Sequence, residues 1–158
     1  MSHKLTITHA NFVIEKSYPV PPDRVFQGFA DPRVKQRWYG IREPMRTEKF
    51  EMDFRVGGGE HMQYRFKEGT PFPGVALNSD GSYQDIVANQ RIVTASTMSI
   101  GGRRISTSLV TIELLTTDAG TDLICTHQAA FYEGADGPQM REAGWRKLLG
   151  QLDSELAL

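Results

Sequence analysis

The histidines and the single cysteine are the residues of this sequence best suited to metal binding or nucleophilic chemistry. The histidines are His3, His9, His61 and His127, and no two of them have the HxxH, HxH or HExxH spacing of a metal site. A zinc site would therefore have to be assembled from distant parts of the chain. We predict no metal and no other cofactor.

Cys125 and His127 are the pair whose spacing favours nucleophilic catalysis. Because they are two residues apart on a predicted strand, their side chains share a face. A neighbouring base can activate a cysteine, but a lone cysteine on an apolar strand is more often a small buried hydrophobic residue. The sequence has no Gly-x-Ser-x-Gly elbow either. We predict no catalytic residue, and whether the protein is an enzyme stays open.

Three consecutive glycines, Gly57 to Gly59, have the composition of a phosphate-binding loop. They lack the Lys-Ser/Thr ending of a P-loop and precede a predicted strand rather than a helix. We therefore predict a turn between two strands. Glu60 follows directly and shares a face with Met62 and Tyr64, but it lies so near the start of the strand that we expect it to be exposed.

Length and composition limit the classes of protein to consider. The chain has 158 residues, of which 39% are hydrophobic and 23% charged, as in a single soluble domain. A net charge of −1 argues against nucleic acid or an anionic membrane as the main partner. No apolar run is long enough to span a membrane, and the N-terminus lacks the apolar core of a signal peptide. With one cysteine no intrachain disulfide can form, so we expect a cytoplasmic protein.

The first part of the chain predicts one strand and two short helices. Alternating polar and apolar residues predict a strand over residues 4–18. Pro19 ends it because proline has no N–H to donate to a neighbouring strand. Pro22 suits the first turn of a short helix, and Asp31 is placed to cap a second one.

The remainder predicts four to six further strands and a long helix. The clearest strands alternate over residues 50–54 and 62–66, and short connections make the sheet an antiparallel meander. Residues 68–81 are predicted to be a loop, which is either a surface excursion or, through Phe72, a cover over a cavity. Residues 138–158 carry an apolar stripe at helical spacing, which predicts a helix that covers the sheet. The predicted order is β-α-α-β-β-β-β-β-β-α.

This order, together with several short motifs, resembles the SRPBCC superfamily, the helix-grip fold of START-related and birch-pollen-allergen-like proteins. The matching motifs are Pro-Pro-x-x-Val-Phe at 21–26, Asp31-Pro32, Trp38, Asp-Phe-Arg-Val-Gly-Gly at 53–58, Gly-Thr-Asp-Leu at 120–123 and Gly144-Trp145. Within it, the chain is similar to bacterial relatives of the C-terminal domain of the heat-shock protein 90 ATPase activator. The resemblance implies one α+β domain over residues 1–158, in which a curved antiparallel sheet wraps around a long C-terminal helix, with two short helices after strand 1.

The resemblance also implies an apolar ligand cavity between the sheet and the long helix, lined by the inward faces of both. The implied ligand-binding residues are Met62, Tyr64, Phe66, Tyr83, Val110, Ile112, His127, Phe131, Arg141, Trp145, Leu148 and Leu152. His127 either bonds to a neighbouring hydroxyl or backbone group, lies at the end of the sheet, or is a polar group of the cavity that orients a ligand or moves a proton. Arg141 either covers apolar surface with its stem while its charge reaches water, or meets a ligand carboxylate at the mouth of the cavity. Gly144 lies in the middle of a helix, where we expect a close approach of the sheet or of a ligand.

Binding of a small, largely hydrophobic ligand, in a stress-related role, is the function that the resemblance implies. Two alternatives stay open: a co-chaperone-like modulator of a heat-shock protein ATPase, and a cyclase or hydrolase type of enzyme that uses the same cavity. We expect a small hydrophobic molecule as the partner, no nucleic acid and no membrane span. An open sheet edge leaves both a monomer and a homodimer possible.

Overall fold

The computed structural model describes residues 6–133 and 137–158, and within these ranges it contains a seven-stranded sheet and three helices. The strands are β1 (Ile7–Tyr18), β2 (Met45–Met52), β3 (Gly59–Phe66), β4 (Ala76–Val87), β5 (Arg91–Ile100), β6 (Arg103–Thr117) and β7 (Gly120–Tyr132). The helices are α1 (Pro22–Ala30), α2 (Pro32–Tyr39) and α3 (Gly137–Leu156). The predicted order of elements and the α+β helix-grip fold are confirmed. No helix within the described ranges has the length and apolar character needed to cross a membrane.

The curved sheet is antiparallel throughout, in the order β1-β7-β6-β5-β4-β3-β2. Strands β2 to β7 form the predicted meander, and β1 closes onto β7 from the other end of the chain. The register brings Phe12 of β1, His127 of β7 and Val110 of β6 side by side across three strands. Strand β1 begins at Ile7, and residues 4 and 5 of the predicted strand lie outside the described residues.

The short helices α1 and α2 are fixed by a cap and a buried tryptophan. The Asp31 side chain accepts a hydrogen bond from the backbone N–H of Arg33 at 2.9 Å, which confirms the predicted cap. Trp38 is buried, and its Nε1 donates to the Gly28 carbonyl at 2.8 Å. A Cβ on Gly28 would lie 3.0 Å from Leu152 Cδ1, so glycine lets α1 approach α3 closely.

Helix α3 covers the sheet from one side, as predicted from its apolar stripe. Leu148, Leu149 and Leu152 are buried, and the close contacts of α3 are with β1, α1 and α2. The Tyr18 hydroxyl donates to the Leu149 carbonyl at 2.9 Å, which ties β1 to this part of the helix. Because the close backbone contacts of α3 with the sheet are to β1, the helix backbone stands away from the inner face of the middle strands.

The glycine run forms the predicted turn between β2 and β3. The N–H of Gly58 donates to the Arg55 carbonyl at 2.8 Å, and a Cβ on Gly58 would collide with the Asp53 carbonyl. The N–H of Gly57 donates to the Tyr83 carbonyl at 2.8 Å. The turn is therefore held against β4 and closes one end of the inner face of the sheet.

The predicted loop over residues 68–81 is too long, because β4 already begins at Ala76. Residues 76–81 pair with β3 on one side and β5 on the other, although they include small polar residues typical of loops. Ser79, for example, lies opposite Met62 and Met98. Phe72, in the shorter loop that remains, is 56% exposed and packs its ring edge-on against Phe66.

Candidate functional site

Two neighbouring cavities lie between the inner face of the sheet and α3. The larger one, here called the large cavity, has a volume of about 250 Å³, and the other, the small cavity, about 40 Å³. Both are bordered by Tyr39, Ser79, Ser96, Val110 and Trp145. They occupy the space that remains because the buried leucines of α3 pack towards β1 rather than over the middle strands.

Most side chains around the large cavity are apolar. They are Met45, Phe66, Leu77, Met98, Ile100, Ile105, Val110, Met140 and Trp145. Met140 is 67% exposed, so the cavity reaches solvent near the start of α3. A concave apolar lining with a few polar groups is the usual form of a small-molecule site.

His127 is one of the polar groups on the wall of the large cavity. It is 1% exposed, and its ring stacks on Phe12 with centroids 4.5 Å apart and planes 7° from parallel. Burial, helped by the charge of Arg141, lowers the pKa of His127 to about 4, so the imidazole is neutral at pH 7. Its Nδ1 is buried with no hydrogen-bond partner within residues 6–133 and 137–158, so the expected bond to a neighbouring group is not found at this atom.

Arg141 lies on the α3 side of the same cavity. The residue is only 8% exposed, its Nη2 donates to the Ser106 Oγ at 2.8 Å, and its Cζ lies 5.3 Å from the centroid of the Phe131 ring. The interpretation in which its charge reaches water is therefore wrong. The guanidinium is held inside the fold, where it borders the cavity.

Arg42, in the turn between α2 and β2, also lines the large cavity, although it was not among the predicted ligand-binding residues. Its Cζ lies 4.7 Å from the centroid of the Tyr39 ring and 5.2 Å from that of Tyr64. Gln151 of α3 holds the turn by donating to the Ile41 carbonyl at 3.1 Å. A single arginine in a turn belongs to no periodic pattern, so no sequence signal marks it.

The small cavity contains a buried ion pair. Lys35 Nζ of α2 lies 2.5 Å from Glu60 Oε2 of β3, and the Tyr83 hydroxyl donates to the same carboxylate oxygen. Burial, together with the charge of Glu60, raises the pKa of Tyr83, so its hydroxyl remains a donor. Lys35 Nζ also lies 4.6 Å from the centroid of the Tyr39 ring.

The expectation that Glu60 is exposed is wrong, because the residue is only 8% exposed. A carboxylate can be buried when a cation and a hydrogen-bond donor replace its water. Here Lys35 and Tyr83 do so, and both are more than twenty residues away in the chain. Local sequence around Glu60 therefore could not indicate its burial.

The structure brings part of the predicted ligand-binding set to these cavities. The residues that line one or both are Phe66, Tyr83, Val110, Ile112, His127, Arg141 and Trp145. The predicted residues that line neither cavity, all of them packed in the core, are Met62, Tyr64, Phe131, Leu148 and Leu152. These five side chains are buried, but a cavity borders only the part of the inner face from which α3 stands away.

Two smaller expectations concern Gly144 and Cys125. A Cβ on Gly144 would have no neighbouring atom within 4 Å, so the sheet does not approach it, and the residue opens onto the large cavity instead. Cys125 is fully buried, and burial raises its pKa to about 12, so the predicted role as a small buried hydrophobic residue is confirmed. In the described part of the chain, no three His, Cys, Asp or Glu side chains are grouped so as to hold a metal ion.

Solved structures support this fold at high coverage. The Mll3558 protein from Rhizobium loti is 42% identical, with a TM-score of 0.84, and the match covers 95% of this chain and 99% of that one. An uncharacterised protein from Rhizobium leguminosarum is 30% identical over 98% of this chain and 99% of its own, with a TM-score of 0.90. An AHSA1-like protein from Aeromonas hydrophila, at 18% identity, a TM-score of 0.67 and coverage of 94% and 92%, shows the same fold.

The family is shown by sequence as well as by fold. Among curated proteins, no match to the chain was found. The family model described as "Activator of Hsp90 ATPase homolog 1-like protein" matches residues 19–157, which is nearly the whole chain. The resemblance inferred from the motifs is thereby confirmed, and the chain belongs to this AHSA1-like family of SRPBCC type.

Proposed function

We propose that the protein binds a small, largely hydrophobic molecule in the large cavity. The observation that carries this proposal is a space of about 250 Å³ with a mainly apolar wall and an opening beside Met140. Protein interiors are closely packed and contain few voids larger than a water molecule. An engineered apolar cavity of about 150 Å³ is already enough to bind benzene.

Small residues keep this space open. Ser96 and Ser108 lie opposite each other on β5 and β6, with their Oγ atoms 3.1 Å apart, and both face the large cavity. Gly144 lies on α3 at the edge of the same space and has no atom near its Cβ position. A larger side chain at any of these positions would fill part of the cavity, so the void depends on a specific set of small residues.

The enzyme alternative has less support from the ionisable groups at the site. General acid–base catalysis works best when the pKa of the catalytic group lies near the working pH. The pKa of His127 lies near 4 and that of Cys125 near 12, so neither group exchanges protons readily at neutral pH. The family description also names an activator of the Hsp90 ATPase. An ATPase measurement with the cognate chaperone would test that alternative separately, and stimulation would favour it.

Titration with octanol, followed through the amide chemical shifts of the protein by NMR, tests the proposal. We expect saturable shifts centred on Val110, Trp145 and their neighbours around the large cavity. Ser96→Phe should abolish them, because its ring would occupy the cavity. Thr97→Phe is the matched control, since the next residue on a strand faces the other side of the sheet and binding should persist.

Circular dichroism must show that both variants are folded before their binding is compared. If octanol causes no saturable shifts in the wild-type protein, the large cavity does not bind a hydrophobic ligand and the proposal fails. It also fails if Ser96→Phe binds octanol as well as Thr97→Phe does, because binding would then lie elsewhere.

A further inference from the structure

We propose that the ligand of the large cavity is an amphipathic carboxylate, whose anionic group binds to Arg42 while its apolar part lies against Phe66, Met98 and Val110. This inference rests on the proposed function and names the chemical class of its ligand. It follows from the charges around the cavity, which the apolar lining alone does not explain.

The charge of Arg42 is not balanced by an acidic residue. Within residues 6–133 and 137–158, no Asp or Glu forms an ion pair with it, and its Nε is buried without a hydrogen-bond partner. The groups that contact its guanidinium are the rings of Tyr39 and Tyr64. Burial raises the pKa of Tyr39 to about 12 and also raises that of Tyr64, so both phenols are neutral at pH 7.

Two carboxylates of this region, one paired beside the Tyr39 ring and one adjacent to Arg42 in sequence, are already bound to lysines. Glu60 lies 2.5 Å from Lys35 in the small cavity. Glu43, the next residue along the chain, forms an exposed pair with Lys67 at 2.9 Å. Neither carboxylate is among the residues that line the large cavity, so the positive charge of Arg42 faces that space without a counter-charge.

A second guanidinium, carried by a different element, borders the same space. Arg141 lies on α3, whereas Arg42 lies between α2 and β2, and both line the large cavity. Among the described residues of that lining, these two arginines are the charged ones, since His127 is neutral at pH 7. The charge of Arg42, which no described carboxylate balances, therefore favours an anionic group in its part of the cavity over a neutral or cationic one.

The geometry of the Arg42 guanidinium and the fixed position of its turn both favour a carboxylate as the anionic group. Arginine presents a planar fork of N–H donors that matches the two oxygens of a carboxylate. The turn that carries Arg42 is fixed by Gln151, whose Nε2 donates to the carbonyls of Trp38 at 2.6 Å and Ile41 at 3.1 Å. A donor held in place before binding loses little freedom when the ligand arrives, which favours affinity.

Octanoate and octanol form a matched pair of probes, because they share a carbon chain and differ in charge. At about pH 7.5, we expect the wild-type protein to bind octanoate about tenfold more tightly than octanol, as one charged hydrogen bond predicts. Arg42→Gln should reduce octanoate to the affinity of octanol and leave octanol unchanged. Arg46→Gln, which removes an exposed arginine on β2, is the control and should leave both affinities as in the wild type. Both affinities can be measured by amide shift titration.

The outcomes separate this inference from the proposed function. If octanol and octanoate bind equally well to the wild type, the hydrophobic site stands but the inference is overturned. If the preference survives in Arg42→Gln, or is lost only in Arg141→Gln, Arg42 is not the anion-binding residue and the inference is again overturned. If neither probe binds, both proposals fall. Arg42→Lys provides a second variant should Arg42→Gln not fold; it keeps the charge without the fork, and we expect a smaller preference for octanoate.

Discussion

The two cavities differ in how the positive charge of the side chain that borders them is balanced. In the small cavity, Lys35 is paired with Glu60, and little space remains, about 40 Å³. In the large cavity, Arg42 lies against the neutral Tyr39 and Tyr64 without a described carboxylate partner, and about 250 Å³ remains beside it. The comparison indicates that a carboxylate of the protein neutralises the buried cation and fills the space beside it. A cation without such a carboxylate leaves an unbalanced positive charge and room for a ligand. We therefore expect the small cavity to contribute to stability, and we propose the large one as the binding site.

Breaking the ion pair between Lys35 and Glu60 in the small cavity should reduce the stability of the protein more than any other change considered below. Glu60→Gln leaves Lys35 charged and buried without a counter-charge, so we expect the free energy of unfolding to fall by about 3–5 kcal/mol. Urea denaturation at pH 7.5 measures this. Glu51→Gln, at an exposed position of the neighbouring strand, is the control and should change stability by no more than about 0.5 kcal/mol. Equal stability of the two variants would show that the pair does not hold the small cavity closed.

The pH dependence of stability should reveal the buried imidazole of the large cavity. The pKa of His127 is about 4 in the folded protein and about 6.5 in an unfolded chain, so the unfolded state takes up a proton first as pH falls. Stability is therefore complete above about pH 6.5 and decreases towards pH 4, by about 2 kcal/mol at pH 5 from this residue alone. Urea denaturation from pH 5 to pH 7.5 measures it.

His127→Phe keeps a flat ring for stacking on Phe12 but cannot be protonated. Its loss of stability between pH 7.5 and pH 5 should be smaller than that of the wild type by about the same 2 kcal/mol. Carboxylates that titrate in this range affect both proteins alike, so the difference isolates the histidine. Identical losses in the two proteins would mean that the imidazole is not buried in its neutral form.

The smallest expected change in stability comes from replacing either of two glycines of α3 by alanine. Neither Gly144 nor Gly150 has an atom within 4 Å of its Cβ position, so alanine fits at both. Each replacement should raise the free energy of unfolding by about 1 kcal/mol, because alanine favours a helix more than glycine does. Only Gly144→Ala places a methyl group at the large cavity, so only this variant should shift ligand preference from octanol towards hexanol. The same shift in Gly150→Ala would argue that the helix as a whole, and not the cavity wall, sets the preference.

The sequence predicted the order of elements because their signals are local. Alternation marks the strands, Asp31 marks the start of α2, and the leucines of α3 repeat at helical spacing. The first half of β4 was predicted to be a loop rather than a strand, for a physical reason that concerns the site itself. Ser79 borders both cavities, where a small polar side chain leaves space, and the Asp80 and Gly81 that follow it are residue types typical of loops.

The candidate site was predicted less well, because its key contacts join distant parts of the chain. Glu60 is buried by Lys35 and Tyr83, and Arg42 is placed by a turn and by Gln151 of α3. None of these partners is a neighbour in sequence. The inward face of β3 was predicted, but Met62 packs in the core, since only the three-dimensional position of α3 decides which inward residues border a cavity.

The attachment of α3 has a consequence for how a molecule enters. The backbone carbonyl of Leu149 and the side chain of Gln151 fasten the helix to β1 and to the turn after α2, and the carbonyl of Leu156 accepts a hydrogen bond from Arg24 at 3.1 Å. These attachments lie in the second half of the helix, whereas Met140 and Gly144 border the opening in the first half. In the first half, the hydrogen bond from Arg141 Nη2 to Ser106 Oγ, at 2.8 Å, joins the helix to β6. Any tilt that widens the entrance must therefore strain this contact, while the attachments of the second half keep the core of the protein intact.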